Sequence, residues 1–276
     1  MKTLTGTMAL AGAAVSALAL SGCSVDLDAG EKHENRSYQI TQKVTSIKVT
    51  SDVGKVEVVG TDAAVVKVAE RLTWTSEHRK PKPSHGVAGG TLTLGAKCEG
   101  NVIGFSSCGV AYRVEVPRGT SLDLHNDDGA LKVSGLRGAV RLSTDTGSIT
   151  ATGLEASSLF ARTGDGSIRL NGRAANAELR TDTGSIKGDG LNVDRLTAHT
   201  GDGTINVRFT APPGSVDATT DTGSVELAVP TGEPYAISLK ADTGSLDVDA
   251  AVRRDDAAPR KIKVRTGDGS VDVRPA

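Results

Sequence analysis

One turn motif recurs along the second half of the chain at nearly constant spacing. Its copies are Asn126-Asp127-Asp128-Gly129, Thr144-Asp145-Thr146-Gly147, Thr163-Gly164-Asp165-Gly166, Thr181-Asp182-Thr183-Gly184, Thr200-Gly201-Asp202-Gly203, Thr220-Asp221-Thr222-Gly223, Ala241-Asp242-Thr243-Gly244 and Thr266-Gly267-Asp268-Gly269. The glycines lie 18, 19, 18, 19, 20, 21 and 25 residues apart, and a looser copy, Ser51-Asp52-Val53-Gly54, stands near the start. Apolar residues alternate on both sides of each turn, as in Val140 and Leu142 before one and Ile149 and Ala151 after it. Alternation over four to six residues bounded by Gly and Asp reads as a half-buried strand. A strand-turn-strand unit of about 19 residues is too small to bury its own apolar face, so the units must stack.

The expected fold is therefore all-β. It is a β-solenoid of about 19-residue repeats over residues 118–276, preceded by an atypical N-terminal capping part at 38–117. Hairpin-built antiparallel sheets are the competing architecture. Both put Ile, Val and Leu inside and Thr, Arg, Lys and Asp outside; they differ in whether a strand pairs with the next unit or within its own. A narrow core suits small aliphatics, in keeping with 33 Gly but one Trp, three Tyr and three Phe. The turn Asp alternates between Asp-Thr-Gly and Gly-Asp-Gly. Stacking would bring identical carboxylates about 4.8 Å apart, so alternation is expected to stagger charges that repel by about 1 kcal/mol. Arg274 and Pro275 are expected to blunt the last sheet edge.

The capping part carries larger residues, among them Tyr38, Trp74 and Tyr112, and a Pro-rich break at Arg79-Lys80-Pro81-Lys82-Pro83. Residues 23–37 are polar, without periodicity, and read as a flexible tether. Before them, Lys2, an Ala- and Leu-rich stretch from Met8 to Leu20, and Leu20-Ser21-Gly22-Cys23 form a signal peptide over 1–22 that ends in a bacterial lipobox. The resemblance to a lipobox implies that Cys23 takes a diacylglycerol and becomes the mature N-terminus, an anchor of two chains. Cys98 and Cys108 then remain outside the cytoplasm and are expected to form a disulfide.

Lys and Arg number 32 against 33 Asp and Glu, a balance that gives no electrostatic reason to expect nucleic acid as partner. Asp-Thr-Gly-Ser, found at 145–148, 182–185, 221–224 and 242–245, is also the loop of aspartic proteases. Those enzymes need two such loops face to face; here four follow the repeat period. Each turn offers one carboxylate, short of the six to eight oxygens that calcium takes. The five histidines have no metal-ligand spacing. Neither a catalytic residue nor a metal or cofactor is expected.

Ser51-Asp52-Val53-Gly54-Lys55-Val56-Glu57-Val58, Tyr112-Arg113-Val114-Glu115-Val116-Pro117 and the Thr-Asp-Thr-Gly-Ser-Ile units resemble the bacterial putative-adhesin family of β-strand-repeat domains. Its members are often lipoproteins, and their function is mostly unassigned. The resemblance spans about Tyr38 to Arg274 and brings no catalytic residue with it. It implies a non-catalytic lipoprotein outside the cytoplasm, held to the cell membrane by its N-terminal lipid, and acting as an adhesin or surface scaffold on an envelope protein or glycan. The alternative is a carbohydrate-binding or carbohydrate-processing protein working in a groove of the solenoid, which would need acids converging beside an aromatic.

Overall fold

A computed structural model describes residues 27–28, 30–98 and 108–276. The leader and Cys23 lie outside the described residues. Apart from one 3₁₀ turn at Glu77–Arg79, all regular structure among the described residues is β. Each repeat forms a rung: a leading strand, the turn, and a trailing strand. The three strands Ile149–Asp165, Ile168–Thr183 and Ile186–Asp202 run through the bend from one trailing strand into the next leading one.

Rungs pair with rungs, in parallel and in register. Leu142 lies beside Ala161, Ala161 beside Leu179, and Leu179 beside Ala198. The solenoid is thus the architecture adopted, and hairpin pairing is confined to the N-terminal end. Ile149, Ile168, Ile186 and Ile205 make one continuous buried ladder. Volume is shared within each rung. Five residues before and four after the turn glycine stand Leu142 and Ala151, Ala161 and Leu170, then Leu179 and Gly188. A large side chain accompanies a small one, which keeps the core filled at constant width.

Chain order and stacking order part company at both ends. The rung Ser46–Val53/Val56–Thr61 sits between Ser121–Asp128/Leu131–Ser134 on one side and Thr91–Lys97/Cys108–Pro117 on the other. Likewise Lys261–Asp268/Val271–Pro275 lies between Ser215–Thr222/Val225–Val229 and Ala236–Thr243/Leu246–Val248. Gly223 N–H donates to Asp268 C=O, and Gly269 N–H to Thr243 C=O, so the turns are stacked in that order too. Arg274 and Pro275 therefore do not blunt an edge. Pro275 lies beside Val229 in the rung next to the last, and the edge belongs to Ala236–Thr243 and Leu246–Val248.

The reordering accounts for an irregularity in the sequence. Asp-Thr-Gly stands twice in succession at Gly223 and Gly244, yet the inserted Gly-Asp-Gly of Gly269 separates them in space. Asp and Gly then alternate without interruption from Asp145 to Asp242. The cause is steric before it is electrostatic. A Cβ on Gly164 would lie 2.7 Å from the carbonyl oxygen of Asp145, on Gly201 2.6 Å from that of Asp182, and on Gly267 2.5 Å from that of Asp221. Asp127 and Asp145, by contrast, occupy neighbouring rungs at one position, so adjacent carboxylates are tolerated. Charge staggering is not needed to explain the alternation.

The N-terminal end is closed. Glu31–Ile40 pairs antiparallel with Val66–Trp74, which pairs antiparallel with Cys108–Pro117, and Lys82–Ala88 covers Thr91–Lys97. The strand from Glu31 begins inside the segment read as a tether, because its residues find partners from Lys32↔Trp74 to Ile40↔Val66. The capping part is also less atypical than its sequence, since it holds the regular rung of Ser46–Val53. Tyr38 and His85 stack at 4.4 Å across this end. The Tyr38 hydroxyl donates to Glu70 at 2.7 Å, and Glu70 is itself buried. Burial, then that hydrogen bond, pushes the Tyr38 phenol well above its ordinary range.

Candidate functional site

The turns line one long edge of the solenoid. Behind them runs a buried ladder of Thr144, Thr163, Thr181, Thr200, Thr220 and Thr266. A hydroxyl there can bond backbone that the tight turn leaves without a ladder partner. In the Gly-Asp-Gly rungs it donates to the glycine carbonyl one rung back, as Thr163 does to Gly147 at 2.8 Å. In the Asp-Thr-Gly rungs it lies among three carbonyl oxygens, for Thr181 those of Gly166 at 3.0 Å, Thr183 at 3.1 Å and Gly164 at 3.2 Å. Thr181→Val keeps the shape and deletes the bond. It is expected to lower stability by about 1–2 kcal/mol, measurable as a shift of the urea midpoint at unchanged slope.

In front of the threonines the Asp side chains are exposed. Asp145, Asp182, Asp221 and Asp242 stand on every second rung, roughly 9.6 Å apart at the usual strand spacing. They share one edge rather than face each other across a cleft, so no two can hold a proton in common as a protease dyad does. Among the described residues no group of three His, Cys, Asp or Glu side chains is placed to hold a metal ion.

The outer faces carry polar rows. One row of the leading sheet runs Lys48, Asp123, Arg141, Phe160, Glu178, Thr197, Asp217, Lys263. Neighbours in it pair: Arg141 covers the Phe160 ring at 4.1 Å, and Lys263 reaches Asp217 at 3.1 Å. The next row holds His125, Ser143, Arg162, Arg180 and His199, with Arg162 3.8 Å from Asp182 on the turn edge. Around Phe160 the leading face is hollowed into a groove of about 580 Å³, which Asp123, Arg141, Glu178 and Arg195 also line. This groove is the feature that sequence reading missed. Its one signal is an aromatic at an outward position, where the alternation puts polar residues.

Cys98 and Cys108 are bonded to each other. They close the rung Thr91–Lys97/Cys108–Pro117 at the place where other rungs have their tight turn, so the cross-link ties its two strands together there. Cys23 falls outside the described residues.

Two crystal structures share the fold. A putative adhesin from Parabacteroides distasonis superposes with a TM-score of 0.55 at 13% identity, over 86% of this chain and 96% of that one. A putative adhesin from Bacteroides fragilis superposes with a TM-score of 0.52 at 14% identity, over 88% and 97%. No curated protein matches the sequence. The model of the family described as Toastrack DUF4097 matches residues 44–274, from the first regular rung to the inserted last one. With that match covering nearly all of the stacked body, the chain belongs to the Toastrack DUF4097 family.

Proposed function

We propose that this protein is a non-catalytic lipoprotein of the bacterial cell envelope, anchored through Cys23, that presents the faces of its solenoid as an adhesin or surface scaffold. The observation that carries the reading is the outer row from Lys48 to Lys263. Its side chains repeat once per rung and neutralise one another along the stack, a surface suited to broad contact rather than to chemistry at a point. The names of the two structural neighbours agree with it. The lipobox supplies the anchor, and two acyl chains hold where one is marginal. Metabolic labelling with radioactive palmitate, followed by fractionation, tests the anchor: label in the membrane fraction is expected for the native chain and none for Cys23→Ala. Label on Cys23→Ala, or a native chain wholly in the soluble fraction, would sink it.

The groove at Phe160 favours a second reading, binding of a glycan. The Phe160 ring, which the Arg141 side chain would have to share or yield, offers a stacking surface, and Asp123 and Glu178 in the same outward row offer hydrogen-bond acceptors. On a glycan array, Phe160→Ala is expected to remove about tenfold or more of any specific signal, since stacking of this kind contributes on the order of 1 kcal/mol or more. A signal that survives the change places the ligand elsewhere on the faces.

A further inference from the structure

The two ends of the solenoid are built differently. At the N-terminal end the antiparallel strands close the core, with Pro83 on one outer strand and the ion-paired Glu34 and Arg36 on the other. At the far end Ala236–Thr243 and Leu246–Val248 pair on one side only among the described residues. Ala236 N–H donates inward, to Arg260 C=O. The alternation of a parallel ladder therefore turns the N–H and C=O groups of Ile237, Leu239 and Ala241 outward. The core is open there as well. Ile262, Val264, Val271 and Val273 are buried one rung below, whereas Ile237, Leu239 and Val248 are only partly covered and Leu246 is 47% exposed. The return loop covers part of this end: Val252 is buried against the core, Asp255 N–H donates to Tyr235 C=O and Arg254 reaches the Val248 carbonyl, while Leu239 and Leu246 are left uncovered or only partly covered.

We propose that this end rung docks the same rung of a second copy, strand against strand and antiparallel. Three observations favour a second copy over another occupant. The end offers both bare backbone and an apolar cross-section, which only an object with the same two-sheet section would cover together. Its charges are self-complementary: in the antiparallel register with Ala241 on the two-fold axis, Lys240 of each copy faces Asp242 of the other, while Ile237, Leu239 and Ala241 stay on the core side. Lys240 and Asp242 already lie 3.0 Å apart and both are exposed, ready to be shared. Finally, one end alone is open, so association closes at a dimer instead of running on into a fibre.

The test uses the full chain carrying Ala241→Cys under mild oxidation, with the unsubstituted chain as control for Cys23. A cross-linked homodimer, confirmed by mass spectrometry, is expected. Adding Leu246→Lys, a change at an exposed site that leaves the melting temperature in place, should cut its yield at least tenfold. Light scattering on the unsubstituted chain gives an independent reading, with the dimer mass rising with concentration. A monomer persisting at about 100 µM, where even a weak contact registers, overturns the proposal. So does an introduced thiol that stays free to maleimide without cross-linking, or one that links to a different protein.

Discussion

Replacing Gly184 by alanine is expected to destabilise the solenoid by roughly 2–6 kcal/mol, enough at the upper end to unfold a marginal array. Two costs add. Gly184 has φ near +134°, a conformation that L side chains rarely adopt, worth about 1–3 kcal/mol. The new methyl would also sit 2.1 Å from the carbonyl oxygen of Gly166, against backbone that is fixed on both sides by the ladder. Overpacking of that kind contributes another 1–3 kcal/mol or so. Gly153 separates the two costs, because it too has positive φ, +58°, but nothing lies within 4 Å of its would-be Cβ. Gly153→Ala should cost only about 1 kcal/mol. Urea midpoints of the two variants, measured side by side, decide it. Equal losses would mean that the close stacking of turns is not what holds them.

Ending the chain after Arg260 is expected to release far more than the residues removed. Ile262, Val264, Val271 and Val273 are each at most 1% exposed, and at roughly 1.5–3 kcal/mol per side chain their burial amounts to about 6–12 kcal/mol, an upper estimate. Ala236–Thr243 and Leu246–Val248 pair with nothing else among the described residues and should come loose with them. Limited trypsin digestion should then cut at Lys240, which in the intact chain is held in a paired strand, while the body up to Val229 resists. If rungs were stacked in chain order, the segment from Ala236 to Val248 would stay covered by its neighbour at Val225–Val229. Protection at Lys240 would show that reading to be right and the inserted rung wrong.

The stacked body was largely legible in the sequence, since its information is local: alternation within each strand and a glycine at each turn. Whether strands pair within or between units is a tertiary question, and there the alternation left two answers open. The inversions at the ends left traces that the repeat alone does not interpret. The last interval is 25 residues instead of about 19, and Asp-Thr-Gly at Gly223 is followed by Asp-Thr-Gly at Gly244. Both become intelligible once Gly267 is seen to need the carbonyl of Asp221 beside it. At the other end Glu31 to Ser37 shows no periodicity because the strand is largely exposed, so its pairing with Val66–Trp74 leaves no apolar signature. The hollow at Phe160 depends on side-chain volumes across several rungs, which no single repeat encodes.

The placement of the first and last rungs inside the stack limits how such a protein can change its length. A repeat spliced next to the strand at Ser46 or at Lys261 would find the adjoining places taken, for those strands are each flanked on both sides. Growth comes most directly by duplication in the middle, between Val140 and Phe209, where consecutive coils lie next to each other. A duplication of two coils, such as the 37 residues 148–184, keeps Asp and Gly taking turns along the edge. Each such duplication lengthens the molecule by about 9.6 Å.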